Sequence, residues 1–236
     1  MSLQEYNTAH VPLEILFADE DIVVVNKPYG LLSVPGVDQR LQDSVVTRIA
    51  QNYEFVEAVH RLDMATSGIL VLAVSKLADA ELKKQFRERQ TSKTYYAVVR
   101  GIVAKDHQFI ERPLGCDWPL RPRQRIDYTE TGKFSLTECK VLERNFKQDF
   151  TLVQLTPHTG RSHQLRVHMQ SLGHAIVGDK FYDQDYKALP YFRLCLHAGH
   201  LGFYHPRSGQ WLEFKVEPDF KCDYQIPEFM ENPEEN

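Results

Sequence analysis

One stretch constrains the fold more than any other: His60-Arg61-Leu62-Asp63-Met64-Ala65-Thr66-Ser67-Gly68, followed at once by Ile69-Leu70-Val71-Leu72-Ala73-Val74. The second half is an unbroken apolar run rich in branched residues, with the length and composition of a strand buried on both faces. The first half is polar, irregular and closed by a glycine, so it reads as a loop delivered by that strand. Asp63 is the one carboxylate in the loop, among an arginine, a histidine and two hydroxyls. Folds commonly present chemistry in this way, on a loop positioned by a core element. On residue types alone, the commoner explanation of such a loop is that Asp63 and Thr66 cap a turn.

The setting is that of a globular protein of one to two domains, with 42% hydrophobic and 25% charged residues in 236. No apolar run approaches the roughly 20 residues of a membrane span, and the amino terminus has neither a basic leader nor an apolar signal core. Cys116, Cys139, Cys195 and Cys222 are far apart with no Cys-x-x-Cys pair, as expected of reduced thiols in a cytoplasmic protein.

Along the chain, residues 1–12 lack periodicity and are expected to form an arm. Residues 15–17 and 22–25 flank an acidic turn as a hairpin, and the second strand ends in Lys27-Pro28-Tyr29-Gly30, where Pro and Gly suit a turn. Residues 42–53 suit a helix with Val45, Val46, Ile49 and Tyr53 on one face. Ser75 is placed to cap a helix running to Arg89, with Ala78, Leu82 and Phe86 as its buried stripe and Lys83, Lys84, Arg87 and Arg89 elsewhere. Residues 93–99 read as a strand. Residues 105–135 are the least regular stretch, where prolines leave Trp118, Arg121, Arg123 and Arg125 on a loop. An aromatic interleaved with arginines suits base stacking and phosphate contacts; a Trp anchoring the loop to the core is the other reading. Strands near 136–143 and 150–156 lead to a short helix with Leu165, Met169 and Leu172 on one face and Ser162, Arg166 and Gln170 on another. Leu196-His197-Ala198 and residues 211–216 read as later strands. From Glu217 to Asn236 the chain is acidic and proline-bearing, and is expected to be loosely held.

His60-Arg61-Leu62-Asp63-x-x-Thr66-Ser67-Gly68 resembles the signature of the RluA family of RNA pseudouridine synthases, whose Asp is the essential carboxylate. Lys27-Pro28-x-Gly30, Lys93-x-Tyr95, Gly160-Arg161-Ser162-His163-Gln164-Leu165-Arg166-Val167-His168 and Leu196-His197 resemble further family motifs in the expected order. Tyr29 departs from the small residue expected there. Together the matches span residues 15–216. The Cys116-Asp117-Trp118-Pro119 region is closer to the family's dual-specificity members than to its large-subunit rRNA enzymes.

The resemblance implies an α+β fold, a mixed but mainly antiparallel sheet flanked by helices with the active-site cleft across its middle. It implies one catalytic domain over residues 13–216, with no amino-terminal S4 domain. Asp63 is then the catalytic carboxylate, Arg166 its partner and Tyr95 the residue against the target base. Arg61, with His60 and Thr66, would contact RNA, Leu165 and Leu196 would wall the pocket, and Trp118, Arg121, Arg123 and Arg125 would grip it from the loop. A neighbouring cation favours the ionised carboxylate, typically by about 1–3 pKa units. The implied substrates are stem-loops of the tRNA anticodon arm, of 23S rRNA or of both, acted on by a monomer. Moving a base from N1 to C5 is redox-neutral and transfers no external group, so neither cofactor nor metal is expected.

Two observations argue the other way. The net charge of −4 is unusual for an RNA enzyme, although basic residues concentrate in 83–93 and 121–125. His158, His163, His168 and His174 cluster in sequence, but without the i, i+4 spacing around a Glu of zinc hydrolases. A glycoside hydrolase would need a second carboxylate near the motif. A non-catalytic RNA-binding relative is the stronger rival, and it has no use for Asp63, Tyr95 and Arg166 together.

Overall fold

A computed structural model of the chain describes Thr8, residues 11–184 and residues 193–221. The acidic-turn hairpin forms as β1 (Glu14–Ala18) and β2 (Ile22–Lys27), closed by Asp19, whose carboxylate accepts from the backbone N–H groups of Asp21 and Ile22. The expected helix over 42–53 is shorter, α1 (Val45–Ile49), with a Ser44–Thr47 capping box at its start. A two-residue strand β3 (Glu57–Ala58) precedes the central loop, and the apolar run forms β4 (Ser67–Ala73), every residue of it buried. Alternation sends its side chains to opposite faces. Leu70 and Leu72 join Val23, Val25 and α1 on one side. Ile69, Val71 and Ala73 pack on the other against Ala78 and Leu82 of α2 (Lys76–Glu88), which Ser75 caps as expected. Each such fully buried Leu or Ile contributes about 1.5–3 kcal/mol, which fixes the register of the strand that carries Asp63.

Next come β5 (Ser92–Arg100) and, inside the supposedly irregular 105–135, β6 (His107–Glu111) and a small hairpin of β7 (Leu114–Cys116) and β8 (Gln124–Ile126). The prolines do exclude helix there, but not strand pairing. β9 (Leu136–Asn145), β10 (Phe150–Pro157), α3 (Gln164–Ser171), β11 (Leu196–Tyr204) and β12 (Trp211–Lys215) complete the elements. Ten strands make one sheet in the order β1-β2-β4-β11-β5-β10-β9-β6, with β12 on β11 and β3 on β4. Among the named strands the β4–β11 contact is the parallel one, through His197–Ser67 and Ala198–Gly68. The fold is thus the mixed, mainly antiparallel α+β sheet that the family resemblance implies.

Both ends are held where they are described. Arg48 donates to the carbonyls of Thr8 (2.6 Å) and Val11 (2.5 Å), so the end of the arm is clamped. At the other end Phe220 is buried against the core and Asp219 pairs with buried Arg193. Arg193 in turn donates to Ser67 Oγ (2.6 Å), which bonds His197 Nδ1 (2.8 Å). The first residues of the supposedly loose tail are therefore tied to the base of β4. Residues 222–236, with Cys222, lie outside the described residues.

Gly68 tests how tightly β4 is held. Its φ is +114°, and a Cβ there would lie 2.3 Å from the Ala198 carbonyl oxygen. Gly68→Ala is expected to cost at least about 3 kcal/mol in a urea titration, adding overpacking to backbone strain. Gly209 has φ +69° but nothing within 4 Å of where a Cβ would lie. The same change there should cost only about 1–2 kcal/mol. Equal losses would refute the steric account.

Acid stability follows from buried histidines. Burial, with the Lys93 charge in the same direction, pulls His60 down to about 3, and burial pulls His197 down to about 4. With a free value near 6.5, the unfolded chain takes up these protons first as pH falls. The stability they contribute is intact above about pH 7 and is lost from about 6.5 downward, each group adding at most about 1.4 kcal/mol per pH unit. Urea unfolding between pH 7 and 5 should show this decline, and His60→Gln, though less stable at pH 7, should show a shallower slope.

Candidate active site

The loop between β3 and β4 is held on both sides of Asp63. Ser33 Oγ donates to the Leu62 carbonyl (2.8 Å) and accepts from the Leu62 N–H (3.1 Å). The Met64 carbonyl accepts from Gly30 N–H (2.8 Å) and from Lys27 Nζ (3.2 Å). Lys27 is fully buried, and its ammonium also donates to the carbonyls of Pro28 (2.9 Å) and Leu31 (2.7 Å). Burial pulls its pKa down to about 7, against the attraction of the Asp63 carboxylate, and three carbonyl acceptors match the three protons of its charged form. The Lys-Pro-x-Gly turn, with Gly30 at φ +82°, is therefore also the floor under the loop.

Arg166, on α3 and 4% exposed, joins two carboxylates. Its Nη1 donates to Asp63 Oδ2 (3.0 Å), while Nε and Nη2 make a two-pronged contact with Asp179 (2.7 Å each). Burial opposes its charge, but the Asp179 bonds and the two carboxylates together push its pKa up. His163 Nε2 approaches the same Asp63 oxygen at 3.7 Å. The other Asp63 oxygen has no hydrogen-bond partner among the described residues.

Asp63 opens on a cleft of about 820 Å³, toward the upper end of the range for ligand pockets. The cleft brings together Asp63, Tyr95, Arg166, Leu165, Leu196, Thr66, Arg61 and His60. Leu165 and Leu196 are buried walls. Tyr95, on β5 beside Ala198 of β11, lies between two core clusters, and burial, then the Asp63 charge, raises the pKa of its hydroxyl. That hydroxyl keeps its proton at neutral pH and is a donor. His60 lines the cleft, but its ring stacks on Phe86 (4.4 Å) and Nε2 accepts from the Val71 N–H (3.2 Å). Its Nε2 thereby holds the root of the loop while the residue lines the cleft.

The loop residues Trp118, Arg121, Arg123 and Arg125 do not line the cleft; from their neighbourhood Pro122 does. Trp118 is 66% exposed, so it does not anchor the loop to the core, and Arg121 stacks on it at 3.8 Å. Arg123 lies over Tyr182 at 5.5 Å. The cationic rim comes instead from Arg61, Arg87, Arg89, Lys93 and Arg161. The four clustered histidines go to separate partners: His158 to Glu138, His163 to Tyr182, His168 to Thr137 and the Arg112 carbonyl, His174 to the Arg100 carbonyl. Among the described residues no group of three or more His, Cys, Asp or Glu is placed to hold a metal ion.

Sequence reasoning missed Asp179 and Tyr182, which none of the motifs covers, and weighed His163 only as a metal ligand. The spacing of Asp179, thirteen residues beyond Arg166, carries no local signal.

Comparison with known proteins agrees with this geometry. A family model described as RNA pseudouridylate synthase matches residues 21–171. The chain is 49% identical over 221 residues to the dual-specificity RNA pseudouridine synthase RluA of Haemophilus influenzae, covering 93% of this chain and all of that one. It is 50% identical over 222 residues to the enzyme of the same name from Escherichia coli K12, with the same coverage. Among solved structures, human RNA pseudouridylate synthase domain containing 1 superposes with a TM-score of 0.76 at 29% identity, over 89% of this chain and 85% of that one. A carboxylate loop, a guanidinium behind it and a cation-rimmed cleft, in a chain about half identical to such enzymes over 93% of its length, place this protein in the RluA family of RNA pseudouridine synthases.

Proposed function

We propose that this RNA pseudouridine synthase isomerises uridines in short stem-loops of both the tRNA anticodon arm and 23S rRNA, with Asp63 as its catalytic carboxylate. Relatives about half identical over 93% of the chain carry the dual-specificity name, which supports two classes of substrate. One observation carries the assignment of Asp63: it is the carboxylate that a buried guanidinium meets in a cleft otherwise rimmed by cations. A protein that only bound RNA would gain nothing from an anion at the centre of that rim.

The chemistry divides among the residues as follows. Breaking N1–C1′ leaves an electron-poor sugar carbon, which an ionised Asp63 can attack or stabilise. Arg166 holds that carboxylate in place. The target nucleotide must leave its stack to reach the cleft; Tyr95 packs on the base and offers a proton, and Leu165 and Leu196 exclude water around it. Arg61, Arg87, Arg89 and Lys93 take the flanking phosphates, with Thr66 shaping the cleft floor and Trp118, Arg121, Arg123 and Arg125 contacting RNA outside it. Asp63, Tyr95 and Arg166 meet in a cleft lined by residues of one chain, which supports action as a monomer. No helix among the described residues is long and apolar enough to cross a membrane, and RNA substrates of this kind support a cytoplasmic location.

Asp63→Asn should abolish tritium release from uridine-labelled RNA while keeping RNA affinity, because an amide neither attacks C1′ nor balances its charge. Appreciable turnover would sink the assignment.

Arg166 is a poorer probe than its role suggests. Truncating it would strand Asp179 inside the protein, at a cost of about 3–5 kcal/mol, so loss of activity there would report folding. The phosphate surface is better tested by salt. Arg61→Ala, Arg87→Ala and Arg89→Ala combined should flatten the log–log salt dependence of RNA affinity by roughly 0.7–0.9 units per contact. Neutralising Arg121, Arg123 and Arg125 should flatten it less. The reverse order would move the main phosphate surface to the loop.

A further inference from the structure

His163 has an unusual position. It stands where a helix-capping residue would start α3, yet its side chain makes no cap, and its backbone lies in the left-handed region at φ +53°. For a residue with a Cβ this conformation costs of order 1–3 kcal/mol and persists where the surroundings impose it. Here the surroundings act on the ring. It stacks on Phe181 (5.8 Å, 19° between planes), Nδ1 is 2.7 Å from the Tyr182 hydroxyl, and Nε2 faces Asp63 Oδ2 at 3.7 Å.

Proton accounting then selects one tautomer. The Tyr182 oxygen accepts the Gln124 backbone N–H at 2.7 Å, and its own hydroxyl proton has one acceptor at hand, His163 Nδ1. With Nδ1 accepting, a neutral ring carries its proton on Nε2, aimed at a carboxylate that only accepts. The opposite tautomer would set the Nε2 lone pair against Asp63 and leave the tyrosine proton without a partner. Protonation of both nitrogens is opposed by burial and by Arg166, against the pull of Asp63 and Asp179. The charged or titratable groups facing the ring are therefore Asp63, Arg166, Asp179 and Tyr182, with Arg123 beyond the Tyr182 ring.

We propose that His163, locked by Tyr182 as the neutral Nε2–H tautomer, is a positioning residue that donates to Asp63 Oδ2 and, with Arg166, turns the free carboxylate oxygen to the target nucleotide. This rests on Asp63 being the catalytic carboxylate. The contact at 3.7 Å is long for a hydrogen bond, so the donor role requires it to shorten in the RNA-bound state. A neutral donor suits the task, since a second cation would blunt the carboxylate that must meet an electron-poor carbon. The chain Gln124–Tyr182–His163 also starts on β8, so two consecutive hydrogen bonds join the hairpin that carries Trp118 and Arg121 to the ring that faces the carboxylate.

The first test needs no variant activity. Long-range ¹H–¹⁵N correlation spectra of histidine-labelled full-length protein, with His163 assigned by its absence from the His163→Gln spectrum, should show the Nε2–H tautomer at neutral pH. Tyr182→Phe should mix in the Nδ1–H form. A wild-type ring protonated on Nδ1, or on both nitrogens, would overturn the proposal. The second test is kinetic, at saturating enzyme in single turnover. His163→Asn, which places its amide near Nδ1, should slow the chemical step roughly 10- to 100-fold through misorientation with RNA affinity unchanged. His163→Gln, which restores a donor near Nε2, should recover most of that loss, and Tyr182→Phe should cost roughly five-fold, about the worth of one neutral hydrogen bond. Equal rates for His163→Asn and His163→Gln would overturn the donor role. Turnover by Asp63→Asn would instead overturn the assignment of the carboxylate, and the tautomer spectrum would still decide whether Tyr182 locks His163.

Discussion

Arg166 satisfies two carboxylates from inside the protein, and the site depends on how it divides its fork. Two of its nitrogens are committed to Asp179, itself fully buried at the side chain, and the third reaches Asp63. Replacing such a buried pair by apolar residues is often no less stable, so stability does not explain its presence. The pair gives orientation: Asp179 absorbs the torsional freedom of the guanidinium, leaving the remaining N–H on a fixed line to Asp63. The rings of Phe181 and Tyr182, about 5 Å from the guanidinium carbon, close the remaining space around it.

The same division of labour recurs under the loop. Lys27 spends its charge on three backbone carbonyls and touches no substrate-facing atom in doing so. Buried cations behind and below the carboxylate hold it, while exposed arginines around it remain for RNA. Among the described residues, Arg61 and Arg89 have no carboxylate at ion-pair distance. An overall charge of −4 is compatible with RNA binding on these terms, since the phosphate-facing cations are gathered at one rim.

How much of this could be read in the sequence follows from how local each signal is. β4 was legible because a strand buried on both faces must be apolar throughout, and α2 because Ser75 and the Ala78–Leu82–Phe86 stripe lie within a few turns. β6, β7 and β8 were not legible. They are three to five residues long, and what makes them strands is pairing with partners elsewhere, as in Phe109 opposite Glu138. α1 was overextended because Tyr53 continues the apolar spacing after the backbone has turned away. In the site, Asp63, Tyr95 and Arg166 were named through motifs, whereas Asp179 and Tyr182 act through tertiary contacts that leave no periodic trace. That the arginines of 121–125 lie outside the cleft was not legible, because charge density in sequence says nothing of which side of a hairpin a residue occupies.

β4 and β5 are consecutive long strands in the chain but not neighbours in the sheet, for β11 lies between them. Asp63 stands at the head of one and Tyr95 on the other, so the residues that must meet a single nucleotide are brought into register by a segment more than a hundred positions downstream. During synthesis the ribosome has to release residue 198 before the two halves can close on it. Until then β4 presents an unpaired apolar edge, the kind of surface on which chaperones act and nascent chains misassociate. The catalytic centre thus cannot assemble before β11 is available, and a chain stopped short of β11 would hold Asp63, Tyr95 and Arg166 and have no active site.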